Sequence, residues 1–257
     1  MAKELSPYQY QKYHDDSFFD KILKYKNISG FSNTRLKDYI EQNSFFITMT
    51  FDKDRIGKRI SRQYDTTFPI GSIQLQNFHL LYNSICRYLF GQNYLRKSKP
   101  RPFALAGLDA NGTKYDSHNS VEDEFENLHI HATVIIPPDY VEKFREYINS
   151  EKFQELRNAS LDIDNIKIDL VKLSGNQTDT EALKKIISYS TKLMRKNYKK
   201  LAHSNSKIGA IEECFYLYPE QMFLSKEIIE LRPKLKAMRW VVNPNRMSKC
   251  EDTLHLF

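Results

Sequence analysis

The chain has 257 residues, of which 40% are hydrophobic and 28% are charged, proportions that are ordinary for a globular protein. No apolar run approaches the roughly 18 residues of a membrane span, and the first residues lack the apolar core of a signal peptide, so we expect a cytoplasmic protein. Three cysteines without a C-x-x-C pair argue against a disulfide framework and a thiolate zinc site. The formal net charge of +7 favours polyanionic partners.

The first half of the chain alternates aromatic and basic stretches. Residues 1–43 mix polar and aromatic side chains without a single period, and we predict short helices that form an N-terminal arm. The first core strand is predicted at 44–51, which is rich in aromatic and β-branched residues. The basic segment 53–62 is predicted to be a loop. From 72 to 90 the apolar residues recur at helical spacing, and Gly91 is a natural end for that helix.

A second basic loop opens the other half of the chain and is followed by a predicted strand at 103–109. An acidic, turn-rich stretch then precedes a strand at 127–136, which ends at two prolines because proline cannot donate to a β-ladder. Four elements are predicted next: helices at 139–149 and 151–158, a strand at 165–173, and a long helix from Thr178 to about Leu201, which a capping box begins. The last fifty residues are predicted to form a short strand near 211–218, a helix near 220–230 and a strand around 238–242.

This order of elements is typical of an α+β fold, in which helices flank a central antiparallel β-sheet, and we expect the helices on one face. We divide the chain into an N-terminal helical arm (1–43), a core (44–205) and a C-terminal extension packed on the core (206–257).

Two histidines, His129 and His131, alternate with apolar residues in the predicted strand 127–136. Because successive side chains of a strand point to opposite faces, both imidazoles leave the strand side by side, away from its fully apolar face. Such a pair can be structural, on a half-exposed strand. It can also bind a divalent cation and leave coordination positions open for a phosphodiester oxygen.

Tyr189 is predicted to lie at the edge of the apolar stripe of the long helix, beside Lys185, Lys192 and Lys196, whereas Tyr198 projects from the opposite side. A tyrosine in such a position is ordinarily an interfacial residue. A tyrosine hydroxyl, with an ordinary pKa of about 10, needs a polarised phosphorus and nearby positive charge to act as a nucleophile. Lys192, one turn away, can supply that charge.

These patterns together resemble the HUH endonuclease superfamily, which contains rolling-circle replication initiators, relaxases and single-strand transposases. His129-Ile130-His131 matches the His-hydrophobic-His motif on a strand, and Tyr189-Ser190-Thr191-Lys192 matches the Tyr-x-x-Lys motif on a later helix. The strand Phe46-Ile47-Thr48-Met49-Thr50 loosely matches the hydrophobic-Thr motif. The three motifs occur in the family's order and cover roughly residues 44–200.

The resemblance implies a ferredoxin-like or RRM-like core and metal-dependent transesterification on single-stranded DNA. It implies that Tyr189 attacks a phosphodiester to give a 5′-phosphotyrosyl link, with Lys192 as a second catalytic residue, and that His129 and His131 bind Mg²⁺ or Mn²⁺. A single candidate tyrosine is similar to the single-tyrosine initiators, so the expected role is to initiate rolling-circle replication of a plasmid or virus.

The family often adds a third polar ligand from the neighbouring strand, and Asp109 matches that position best because it ends the preceding strand. Asp123 and Glu126 are rivals, and His118 is the candidate for the third histidine that relaxases commonly add. Six other residues are expected to contact DNA: Thr48, Thr50, Arg96, Lys97, Lys185 and Lys196.

The expected partners are single-stranded DNA or an origin hairpin and a host helicase, since the chain has no Walker-type loop of its own. An HUH-type transposase or relaxase stays open as an alternative. So does a 2H phosphoesterase, because His131-Ala132-Thr133 fits the pattern His-x-Thr. A non-catalytic DNA-binding module would use the basic loops and aromatic residues equally well.

Overall fold

The computed structural model describes residues 6–62, 71–96, 100–110, 127–173, 177–193 and 215–219. Helices in these ranges are Pro7–Ile28 (α1), Leu36–Asn43 (α2), Lys53–Arg62 (α3), Ser72–Phe90 (α4), Val141–Ile148 (α5), Glu151–Glu155 (α6) and Asp179–Ser190 (α7). Strands in the same ranges are Ser44–Phe51 (β1), Phe103–Asp109 (β2), His129–Ile135 (β3), Ile163–Leu170 (β4) and Phe215–Tyr218 (β5).

The five strands form one sheet in the order β4-β1-β3-β2-β5, and every neighbouring pair is antiparallel. The two-histidine strand β3 is therefore central, with β1 on one side and β2 on the other. The predicted fold class, α+β with an antiparallel sheet and flanking helices, is confirmed.

One face of the sheet packs against α4 and α5 and forms the main hydrophobic core. Ile130, Ala132 and Val134 of β3 are fully buried on this face, as their alternation with the histidines predicts. The neighbouring strands contribute residues of the same alternation: Phe45, Ile47, Met49, Ala104, Ala106 and Leu108.

Helices α1 and α7 cover the opposite face, so the expectation of helices on one face alone is wrong. On this face Thr133 and Ile135 of β3 are as fully buried as the core residues. The Tyr25 ring of α1 lies against Phe103 of β2, with 5.8 Å between the ring centroids. At one end of this face His129 and His131 are partly exposed to solvent.

Helix α7 approaches β2 most closely at Gly107. A Cβ atom at this position would collide with the carbonyl oxygen of Ser190, the last residue of α7. Because glycine has no side chain, the end of α7 can lie directly on the sheet, two residues from Asp109.

We predict that Gly107→Ala lowers the free energy of unfolding by about 1–3 kcal/mol, because the backbone of α7 must move to admit the methyl group. The matched control is Gly57→Ala in α3, where an added Cβ meets nothing within 4 Å. That variant is expected to gain about 0.5–1 kcal/mol from the better helix propensity of alanine. Chemical denaturation of both variants tests the prediction, and equal stabilities of the two would contradict it.

Two predictions about the N-terminal part are wrong in their details. The arm consists of a single helix of 22 residues, α1, and the short α2. The segment 53–62 is a helix and not a loop, because the Asp52 carboxylate accepts hydrogen bonds from the backbone N–H groups of Asp54 and Arg55 at its start. Arg59 then pairs with Asp162 and ties α3 to the residue before β4.

The predicted long helix begins as expected, with a capping box between Thr178 and Glu181, but α7 ends at Ser190 and does not continue unbroken to Leu201. Residues 194–200 lie outside the described ranges. From the C-terminal stretch, β5 confirms the predicted short strand and pairs with the outer edge of β2. By its contacts the chain divides after Tyr218, so β5 belongs to the same unit as the core. Among the described helices none has both the length and the apolar character that crossing a bilayer requires.

Candidate metal centre and neighbouring tyrosine

Asp109, His129 and His131 come together at one end of the sheet. Asp109 is the register partner of His129, and His131 projects from the same face two residues later. Asp109 Oδ2 lies 3.5 Å from His129 Nε2 and 3.6 Å from His131 Nε2, and one ligand atom from each residue falls within 4.8 Å of the others. Separations of about 3.5 Å suit two ligands bound at about 2.1 Å to one ion, so the group could hold a metal ion.

Hydrogen bonds on the far side of each imidazole orient these ligands. His129 Nδ1 lies 3.1 Å from the carbonyl oxygen of Asn127, which can only accept, so this nitrogen donates. His131 Nδ1 lies 3.2 Å from the hydroxyl of Thr48, its partner across β1. When Nδ1 donates, the lone pair of a neutral ring lies on Nε2, the atom that faces Asp109.

The pKa values of the two histidines are shifted in opposite directions. Burial and the neighbouring His129 lower the pKa of His131 to about 4, so this ring is neutral at pH 7. Burial also lowers the pKa of His129, but hydrogen bonds to Asp109 and to the Asn127 carbonyl outweigh it and leave that pKa above its ordinary value. Neutral His131 is the form that binds metals. Asp109, which lies 3.5 Å from His129 Nε2, has a side chain that is only 1% exposed.

Lys192 belongs to this cluster, because its Nζ lies 2.8 Å from Asp109 Oδ2. The helical spacing predicted Lys192 beside Tyr189 on one continuous helix. The structure differs because the backbone of Thr191, with φ −109° and ψ 6°, departs from the helical conformation and interrupts α7. The ammonium group of Lys192 pairs with the carboxylate of the candidate metal centre.

Tyr189 is open to solvent, with 47% of its surface exposed, and is connected to the candidate metal centre through Phe46. Its ring meets the edge of Phe46 at 6.4 Å between centroids, and Phe46 in turn stacks on His131 at 5.4 Å. The Phe46 ring thus links the candidate nucleophile to a candidate ligand.

The structure describes four of the six residues that were predicted to contact DNA. Lys185 is exposed on α7, and Thr50 is exposed at the end of β1 opposite His129. Thr48 is half-buried and is engaged by His131. Arg96 ends a 3-10 turn. Six residues that the sequence put forward lie outside the described ranges: Lys97, His118, Asp123, Glu126, Lys196 and Tyr198.

Two residues that shape the centre were not assigned to it from the sequence. Gly107 admits the end of α7, and an isolated glycine in a strand is a readable signal of a close backbone approach. Asn127 acts through its backbone carbonyl, which any residue type supplies, so its role leaves no sequence signal.

The arrangement combines a buried carboxylate, two oriented imidazoles, a lysine ammonium and an accessible phenol. Such a group can bind a divalent cation and direct a phenolic nucleophile at an anionic substrate. Comparison with protein-family models, with curated proteins and with solved structures finds no match for the chain. The functional argument therefore depends on the residues and their geometry.

Proposed function

We propose that the protein is a metal-dependent endonuclease of the HUH type, which cleaves and rejoins single-stranded DNA with Tyr189 as its nucleophile. The observation that carries the proposal is the convergence of Asp109, His129, His131 and Lys192 at one end of the sheet, next to an exposed Tyr189. Residues far apart in the sequence meet there, and their types are the ones this chemistry needs.

Asp109, His129 and His131 would hold the metal ion, for which we propose Mg²⁺ or Mn²⁺. Carboxylate oxygen suits both Mg²⁺ and Mn²⁺, and imidazole nitrogen is a donor typical of transition metals, so we favour Mn²⁺ of the two. When bound, the ion supplies Lewis-acid polarisation of a phosphodiester oxygen. Thr48 and the Asn127 carbonyl keep the two Nε2 atoms directed at this position.

In the proposed reaction the Tyr189 hydroxyl oxygen forms a bond to phosphorus, and the bond from phosphorus to the 3′ oxygen breaks. The phenolic proton is released and the departing oxygen takes up a proton, which leaves a 5′-phosphotyrosyl ester and a free 3′-OH. Because one phosphate ester replaces another, the 3′-OH can reverse the reaction and rejoin the strand. Lys192 supplies positive charge near the reacting phosphate.

We further propose that the substrate is single-stranded DNA or an origin hairpin, that a host helicase assists, and that the reaction initiates rolling-circle replication in the cytoplasm. Support comes from the net charge of +7 and from the exposure of Tyr189 and Lys185. An HUH transposase or relaxase would use the same chemistry at a different DNA site.

The 2H phosphoesterase alternative loses support, because it needs the Thr133 hydroxyl to reach a substrate. Thr133 is fully buried beneath the helices on this face, and its Oγ1 has no hydrogen-bond partner. A residue enclosed in this way cannot act together with His131 on a bound phosphate.

The experiment that tests the proposal is incubation of the purified protein with a library of random single-stranded oligonucleotides, with Mn²⁺ or with EDTA. We expect an adduct that survives denaturation and forms only with the metal. Mass spectrometry should place the nucleotide on the peptide that contains Tyr189, and sequencing of the linked DNA should reveal the preferred site. Binding of DNA without any adduct would support the non-catalytic module instead.

A further inference from the structure

Helix α1 contacts the segment between Tyr189 and Lys192 through a buried polar network. The Thr191 hydroxyl donates a hydrogen bond of 2.6 Å to Asp15 Oδ1 and accepts one of 3.1 Å from Gln11 Nε2. Gln11 also donates to the carbonyl oxygen of Ser188 at 3.2 Å. Gln11 is 6% exposed and Thr191 is 1% exposed, so the network lies within the protein.

Thr191 is the residue at which α7 is interrupted. Its hydroxyl is held by α1 on one side, while the carbonyl of Ser190 abuts Gly107 of the sheet on the other. The backbone between Tyr189 and Lys192 is thereby fixed at two successive residues. Hydrogen-bonded polar groups in such a largely buried position favour a single conformation.

We propose that Gln11 and Asp15 of α1 are positioning residues for strand cleavage, which they control through the hydroxyl of Thr191. This inference rests on the proposed function. Holding Thr191 sets the direction in which the chain leaves α7, and hence the place of the Lys192 ammonium on Asp109 and of Tyr189 beside Phe46. A displacement of a reacting group by about 1 Å can cost about 100-fold in rate, so such a support matters to the chemistry.

The same two helices are held together independently of this network. Lys184 of α7 pairs with Asp16 of α1, and its ammonium lies over the ring of Phe19. Loss of the Thr191 hydroxyl should therefore leave α1 docked on α7. A positioning role and a merely structural role then predict different results.

The test uses Thr191→Val, which keeps the shape of the side chain and removes the hydroxyl. The measured quantities are the rate of adduct formation at saturating DNA, the Kd for the oligonucleotide recovered from the library, and the Tm. For Thr191→Val we expect the rate to fall about 10–100-fold while the Kd changes by less than about 2-fold. Thr191→Ser restores the hydroxyl and should react within about 3-fold of the wild-type rate.

Asp16→Asn is the matched control, because it removes the charge of an ion pair between the same helices that makes no hydrogen bond to Thr191. It should cleave at the wild-type rate. If Thr191→Val does not fold, Gln11→Met serves instead, with the same fall in rate expected. A wild-type rate in a folded Thr191→Val or Gln11→Met variant would overturn the inference, as would equal losses in Thr191→Val and Thr191→Ser. Absence of any adduct from the wild-type protein would overturn the proposed function and this inference with it.

Discussion

Tyr189→Phe is expected to abolish the covalent DNA adduct, with a fall in rate of at least about 1,000-fold, because phenylalanine has no oxygen to bond to phosphorus. The substitution removes a single hydroxyl from a side chain that is 47% exposed, and the ring can keep its edge contact with Phe46. Stability should therefore change by less than about 0.5 kcal/mol. Gel electrophoresis under denaturing conditions measures the adduct directly.

Tyr13→Phe is the matched control for this variant. Tyr13 is also an exposed tyrosine, at 65%, but it lies on α1. Tyr198→Phe is a second control, since Tyr198 is not part of the Tyr-x-x-Lys motif. Both controls should form adduct normally. If Tyr189→Phe still becomes linked to DNA, the nucleophile lies elsewhere.

Asp109→Asn is expected to weaken Mn²⁺ binding by more than about 100-fold, since loss of a ligand should exceed the 10–100-fold effect of an outer-shell partner. Asparagine keeps the shape of the side chain and can still accept the hydrogen bond from the Ala110 N–H, but it removes the buried negative charge. Isothermal titration calorimetry with Mn²⁺ measures the effect without any DNA. The double variant His129→Ala/His131→Ala should lose metal binding as well.

Asp169→Asn is the control for the carboxylate, because Asp169 is half-exposed on β4 and pairs with Lys167. Its Mn²⁺ affinity should equal that of the wild-type protein. Wild-type affinity in Asp109→Asn would show that Asp109 is not a ligand. Normal cleavage by the double histidine variant in EDTA would show that the reaction does not need the metal ion.

Much of the sheet and its site could be predicted from the sequence because local patterns were strong. Alternation of apolar residues with His129 and His131 predicted β3 and its two faces. Asp109, at the end of β2, was put forward because the resembled family often adds a third ligand from the neighbouring strand. The boundaries of α4 were predicted correctly from its apolar spacing and Gly91. These features are determined by residues close together in the sequence, so they can be predicted from one sequence.

The features that were missed depend on tertiary contacts. Helix α1 buries the polar Gln11 together with its apolar residues. Its sequence therefore has no continuous apolar stripe from which its packing could be predicted. Helix α3 has a charged surface and is tied to Asp162 through Arg59. Thr191, where the helical geometry ends, is hydrogen-bonded to α1, more than 170 positions earlier in the chain. The residue pattern within one segment cannot predict a contact with a residue that is distant in the sequence.

The edge strand β5 bears on the order in which the protein can assemble during synthesis. Tyr218 of β5 pairs with Ala104 of β2, stacks on Tyr82 and shares a hydrogen bond with His79. A ribosome produces residues in order, so every member of the candidate centre up to Lys192 emerges before β5 does. Until then the outer edge of β2 has unpaired backbone groups, which attract other strands. Once β5 has been synthesised, its pairing with β2 covers that edge.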